Sequence, residues 1–201
     1  MRALLRFLPV ALVAAAFAAP ASNAGLLDPV TQLLLPSCGS SLYPFRGFND
    51  SNPYFKFSNN GFESGANGWA LAGGATVGFG NEPWYVNGWG ARSLVLPAGA
   101  SATSPSFCIN LLDPAVRMFA RGTAGSGLTI QVLFHGLTGN LTGILNYDGE
   151  TGTGSWEATN RAPSLLALPL LTTSAQIRVT ANTGPWQIDD AFVDPFKVGL
   201  G

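Results

Sequence analysis

Apolar and polar positions alternate with a period of two over short runs along most of the chain. Leu128, Ile130, Val132 and Phe134 form one row, with Thr129, Gln131 and His135 opposite and Leu133 out of step. Ala175, Ile177 and Val179 alternate with Gln176, Arg178 and Thr180. Rows of this kind predict strands with one face on a core and one toward water. Further strands are predicted over Arg92–Leu96, which stops at Pro97, and over Val116–Arg121, Leu141–Tyr147 and Trp186–Val193. Gly-Gly, Gly-Asn, Asn-Thr-Gly and Asp148-Gly149 turns separate the runs, and Asp-Gly-Glu-Thr-Gly is read as a solvated turn around Glu150. Roughly eight short strands at this spacing predict an all-β sandwich or barrel.

The N-terminus follows a different pattern. Arg2 and Arg6 flank an apolar run from Phe7 to Ala19, too short for a hydrocarbon core about 30 Å thick. Ser22-Asn23-Ala24 and Ala19-Pro20-Ala21 each satisfy a small-x-small cleavage rule. Residues 1–24 are therefore predicted to be a cleavable signal peptide, and the protein to be secreted. Residues 25–56 are predicted as a lead-in. Leu26–Leu35 is a candidate short helix capped by Asp28 with Pro29 at its first position. After it comes coil from Pro36 to Pro53, held by Tyr43, Phe45 and Phe48. The β-sandwich domain is assigned to 57–197. The apolar stretch Leu165–Leu171 is broken by Pro169, so no transmembrane segment is predicted after signal removal.

Composition narrows the function classes. Charged residues are only 10 % of the 201, apolar ones 47 %, and there are 25 glycines, which fits a turn-rich folded domain and not disorder. The formal net charge of -1 leaves no basic patch for phosphates, which argues against nucleic acid as a partner. Export makes a Cys38–Cys108 disulfide the default expectation for the only two cysteines. It would close a loop of about seventy residues, worth about 4 kcal/mol in the chain-entropy account.

The most informative stretch is Asn59-Asn-Gly-Phe-Glu-Ser-Gly-Ala-Asn-Gly-Trp69, followed by Gly73-Gly-Ala-Thr-Val77, Ser93-Leu94 and, near the end, Trp186-Gln-Ile-Asp-Asp-Ala-Phe-Val193. In this order and at this separation the motifs resemble the galactose-binding-like jelly-roll superfamily, and within it the carbohydrate-binding modules of secreted glycanases. The resemblance covers Phe57 to Pro195. The whole chain also resembles a group of uncharacterised secreted actinobacterial proteins. The fold implied is a jelly-roll β-sandwich. The resemblance also implies a structural calcium ion (Ca2+) between the first- and last-strand motifs, with the Glu63 carboxylate, the Gly61 carbonyl and the Asp189 carboxylate as ligands and Asp190 as a substitute.

The residues of that last motif pose a problem of their own. Strict alternation from Ile188 puts Asp190 in the apolar row, and a buried unpaired carboxylate costs several kcal/mol. Two solutions are open and compatible. A bulge turns both aspartates outward and keeps Ile188, Ala191 and Val193 inward; or a cation neutralises the carboxylate.

Asn81-Glu-Pro-Trp-Tyr-Val-Asn-Gly-Trp-Gly90 gathers Trp84, Tyr85 and Trp89 with Glu82 and Asn87. Aromatic faces stack on the C–H faces of sugars, while amides and carboxylates serve their hydroxyls. These five residues, with Trp156, form the candidate ligand face. The competing reading packs the same rings on the sandwich edge. Trp84 and Tyr85 are adjacent, so in an extended segment only one of them can face the core.

No catalytic set emerges. There is no Gly-x-Ser-x-Gly elbow and no His-Glu-x-x-His, and His135 is the only histidine. Glu63, Glu82, Glu150 and Glu157 offer carboxylates, but nothing pairs two of them for glycoside hydrolysis. The sequence thus predicts a secreted non-catalytic module for glycan or cell-wall polysaccharide. The alternatives are a cell-envelope structural or protein-interaction domain without sugar binding and, behind both, a glycoside hydrolase.

Overall fold

The computed structural model describes residues 40, 42–109, 115–163 and 172–194. The expected signal peptide, the candidate helix, Cys38 and Leu165–Leu171 lie outside them. Among the described residues the strands are β1 (Phe55–Lys56), β2 (Ala70–Ala72), β3 (Thr76–Phe79), β4 (Arg92–Leu96), β5 (Ser101–Thr103), β6 (Phe107–Cys108), β7 (Ala115–Gly122), β8 (Gly127–Gly136), β9 (Leu141–Thr151), β10 (Glu157–Ala158), β11 (Ala162–Pro163), β12 (Thr172–Ala181) and β13 (Trp186–Asp194). A single 3-10 turn spans Arg46–Phe48. No helix among the described residues is long and apolar enough to cross a membrane.

Two antiparallel sheets form a sandwich. The first has the order β10-β7-β13-β4-β3, with β1 beside β13 and β11 beside β7. The second has the order β2-β5-β12-β8-β9, with β6 beside β12. The alternating rows sit where the pattern puts them. Leu128, Ile130, Val132 and Phe134 of β8 meet Ala175, Ile177 and Val179 of β12 in one core with Leu94, Met118 and Ile188. Phe62 and Trp69 of the opening motif join that core.

Strand β9 corrects the sequence reading. Asp148-Gly149 is not a turn, because β9 runs through it to Thr151. The register slips between the pairs Leu128↔Glu150 and Ile130↔Tyr147, so Asp148 and Gly149 together oppose Thr129 in a bulge. Glycine suits that position, because a Cβ on Gly149 would overlap the Tyr147 ring. Glu150 is likewise not a solvated turn residue: its Oε1 accepts the Asn160 N–H at 2.7 Å, and burial holds its carboxyl above the usual range.

A second, smaller core lies on the outer face of the first sheet. Phe119 of β7 and Phe192 of β13 point away from the sandwich interior and are covered by Phe45 and Tyr54 of the lead-in. Phe45 stacks on Phe119 at 5.1 Å and meets Phe192 edge-on at 5.6 Å. Leu42 and Tyr54 exchange backbone hydrogen bonds at 2.8 Å, closing the lead-in on itself. Tyr43, expected in this packing, is exposed, with the Arg46 guanidinium over its ring. Cys108 lies on β6 opposite Ser174; its expected pairing with Cys38 falls outside the described residues.

An ion network fastens this segment. Asp50 Oδ2 accepts from Tyr54 Oη at 2.6 Å and from Arg117 Nη1 at 2.9 Å, with Arg161 Nε 3.9 Å away. Arg161 in turn pairs with buried Asp194. Burial pushes the Asp50 carboxyl up, but the Tyr54 hydroxyl, the Asn52 amide and the two guanidiniums together bring it below its ordinary value. Its folded-state value is thus below the unfolded one, so its contribution to stability is present above pH about 4 and lost as pH falls through the folded value. Asp50→Asn should cost about 2–4 kcal/mol at pH 7 by leaving guanidiniums underpaired. The deficit should shrink in denaturant titrations below pH about 4, where the wild type loses the same charge.

Candidate functional site

The loop between β3 and β4, residues 80–91, carries the aromatic motif, and its shape is set by buried acids. Glu82 is wholly buried. Its Oε1 accepts the Val86 N–H at 2.7 Å and its Oε2 accepts the Trp84 N–H. Its own N–H donates to Asp189 Oδ2 at 3.0 Å, and Asn81 Nδ2 donates to the Glu82 carbonyl at 2.7 Å. Tyr85 takes a left-handed conformation, φ 54°, and Gly88 N–H closes the turn on the Tyr85 carbonyl at 3.0 Å. Asn87 Nδ2 donates to Asn60 Oδ1 at 3.1 Å and to Asp190 Oδ1 at 2.9 Å. Glu82 and Asn87, expected to face a ligand, instead hold the loop. Glu82 is buried and its carboxylate is taken up by the loop's own N–H groups, while the half-buried Asn87 spends its Nδ2 on Asn60 and Asp190.

Trp84 packs toward the sheet on one side, 4.8 Å from Phe48 and 5.3 Å from Phe119, and is 43 % exposed on the other. Tyr85 and Trp89 turn outward as a pair, centroids 4.8 Å apart and tilted 42°, with Trp89 91 % and Tyr85 43 % exposed. Trp156 belongs to a different patch, packed on the Phe45–Phe119 cluster with the Arg121 guanidinium 5.7 Å from its ring. Phe79, at the end of β3, is 85 % exposed under Arg92. Sequence reasoning missed it, although the sequence puts it immediately before the loop's first glycine.

Strand β13 adopts the bulge. Its register with β7 breaks between Asp189 and Phe192, and Asp190 has φ 44°. Ile188, Ala191 and Val193 stay in the main core while both aspartates leave it. They do not reach water: Asp189 and Asp190 are buried beneath the loop. Asp189 Oδ1 accepts the Asp190 N–H at 2.9 Å. Asn60 spans the gap in the ladder, its carbonyl accepting Ala191 N–H at 3.0 Å and its Nδ2 donating to Ala191 O at 2.9 Å. Burial first, then the charges of Asp190 and Glu82, push the Asp189 carboxyl up to about 8. Burial pushes Asp190 to about 6, with Glu82 adding to the shift and the Asn87 amide and Lys56 opposing it.

This donor set bears on the expected calcium. Every donor is a hard oxygen, and no guanidinium is paired with Glu82, Asp189 or Asp190 in the contacts above, so the chemistry suits a hard cation. Gly61 closes the site, because a Cβ there would overlap Asp190 Oδ1. Glu63 stands in a neighbouring cradle. It is exposed, its Oε1 accepts the Ala91 and Arg92 N–H groups at 2.9 and 3.0 Å, and a Cβ on Gly90 would press on it. Among the described residues no three His, Cys, Asp or Glu side chains converge at metal-holding distance. A bound cation would therefore rely on one or two carboxylates, with carbonyl, amide and water oxygens completing its shell.

The chain has a jelly-roll sandwich fold, similar to that of carbohydrate-binding modules. It superposes on the family 22 module and xylanase of Clostridium thermocellum endo-1,4-β-D-xylanase 10B, complexed with xylohexaose, at TM-score 0.50 and 14% identity, covering 71% of this chain and 29% of that one. The enzymatically active domain of bacteriophage CBA120 tailspike protein 4 superposes at TM-score 0.50 and 17% identity, covering 68% of this chain and 21% of that one. The chain thus spans about a fifth and under a third of these two proteins. The family 22 xylan-binding domain of Paenibacillus barcinonensis Xyn10C gives TM-score 0.48 and 16% identity, covering 70% of this chain and 94% of that one. No family model and no curated protein matches the chain.

Gly61→Ala should force Asp190 out of its place and lower stability by about 1–3 kcal/mol. Urea titration at neutral pH measures the loss, and Gly47→Ala, in open space, serves as the control.

Proposed function

We propose that the protein is a secreted, non-catalytic module that binds glycan or cell-wall polysaccharide through the Tyr85–Trp89 pair. The observation that carries this reading is the near-complete exposure of Trp89 beside Tyr85, on a loop fastened from below by Glu82 and Asn87. A large ring held in water gains nothing for the fold, but a pair of rings held apart from the core offers a rigid stacking surface whose ordering cost is met before a ligand arrives. The jelly-roll fold is compatible with this role without establishing it. Trp89→Ala should weaken retention on a polysaccharide panel (xylan, mixed-linkage β-glucan, galactan, cell-wall preparations) about tenfold or more, with Tm unchanged. A panel that retains neither wild type nor variant would count against the reading.

A structural calcium ion belongs to the same proposal, with Asp189, Asp190 and the Gly61 carbonyl as its candidate ligands, while Glu63, held in the neighbouring cradle by the Ala91 and Arg92 N–H groups, drops out of the expected set. Calcium would offset charge buried under the loop and so hold the aromatic pair in place. Added calcium should raise Tm relative to excess chelator, and Asp190→Asn should shrink that difference. An identical Tm in both solutions would remove the ion from the account.

The second reading is an envelope protein-interaction domain without sugar binding. It draws on Leu137, Leu141 and Ile144, which are exposed where β8 turns into β9. Concentration-dependent self-association without any glycan response would favour it.

A further inference from the structure

The lead-in does more than cover the first sheet. Its segment 48–52 forms one wall of an open cleft of about 610 Å³, whose other wall comes from β7, the edge strand β9 and residues 160–161. Because 42–54 precedes the span of the jelly-roll resemblance, this cleft is a feature of this chain's own lead-in. Its lining is mixed. The half-buried Phe48 and Tyr147, the Arg117 and Arg161 guanidiniums and the exposed Ser51 and Asn160 all line it.

The groups are fixed before any ligand arrives. Arg117 Nε donates to the Thr159 carbonyl at 2.7 Å and its Nη1 to Asp50. Arg161 is held by Asp194, its buried Nε lies 3.9 Å from Asp50 Oδ2, and its side chain is 27% exposed. The Asn160 N–H is anchored on Glu150, which fixes the rim. Charge chooses among ligands. Two guanidiniums face Asp50 and Asp194, with Glu150 close by, so the cleft carries no surplus positive charge for an anion. Two aromatic side chains, polar groups at the rim and the lack of surplus positive charge fit a polyhydroxylated, uncharged ring.

We propose that this cleft is a second binding site, taking a single neutral glycosyl unit between Phe48, Tyr147 and Asn160. It is separate from the Tyr85–Trp89 pair, so either site can fail without the other.

The test uses the full chain and its backbone amide NMR spectrum. Methyl glycosides of glucose, galactose and xylose are titrated, with glucuronate as the charged comparison. A neutral glycoside should give saturable shifts at Ser51, Asn52 and Asn160. Asn160→Ala and Tyr147→Phe should each weaken that binding by about fivefold, the scale of one lost hydrogen bond, while Trp89→Ala leaves it unchanged. Both variants are judged only where their spectra show the wild-type fold. Three results would overturn the proposal: no shifts with any neutral glycoside, tighter binding of glucuronate than of all three, or unchanged affinity in both folded variants.

Discussion

Strand β13 has to serve two cores, and a single change of phase at Asp190 lets it do so. Ahead of the bulge Trp186 and Ile188 face the sandwich interior; beyond it Ala191 and Val193 do the same, while Phe192 faces the outer cluster. Without the bulge, alternation from Ile188 would bury Asp190 among aliphatic groups and turn Ala191 and Val193 outward. The bulge moves the carboxylates to the outer side but not into water, because the β3–β4 loop lies over them. The main core, the outer core and the loop with the aromatic pair all depend on how those carboxylates are met.

They are met by amides. Asp189 accepts from Glu82 and Asp190, Glu82 accepts from Trp84 and Val86, and Asp190 accepts from Asn87. Charge-assisted bonds of this kind are short and directional, so they specify a loop that its own sequence, rich in glycine and with Tyr85 at positive φ, would not hold alone. Burial, with like charges close together, raises the Asp189 and Asp190 carboxyls. A hard cation, were one bound there, would offset that cost.

Much of the fold was legible because its determinants are local. Period-two rows placed β8, β12 and β13, and the misfit of Asp190 in its row identified the bulge as one of two solutions. Phe119 and Phe192 carried a signal that went unread: aromatic side chains out of phase with the inward row mark a second buried surface. Other features were illegible for equally physical reasons. Glu82 and Asn87 look like ligand groups beside three aromatic rings, and only the distant Asp189, Asn60 and Asp190 show them to be internal supports. Asp148-Gly149 looks like a turn, and only its pairing with Thr129 makes it a bulge. Tyr147 and Asn160 gave no signal, since the cleft they line exists only after the lead-in folds back.

The surfaces left to water also decide where an aromatic stacking ligand can dock. Apart from Leu133, Leu141 and Ile144, the outward positions of β8, β9 and β12 are largely polar and engaged with one another: Gln131 with Asn146, Thr129 with Asp148, Asn182 with Thr129, and Arg178 with Thr103 on β5. Among the described residues that face offers no Phe, Tyr or Trp, because Tyr147 turns inward against the core. The outer face of the first sheet is covered by the lead-in and the β3–β4 loop. The most exposed rings are Trp89 and Phe79, with Tyr43, Trp84 and Tyr85 each less than half exposed. Were a flat, apolar sugar face to dock by stacking, the loop carrying Trp84, Tyr85 and Trp89 would offer it the densest set of rings, and the buried acids beneath would determine how rigid that set is.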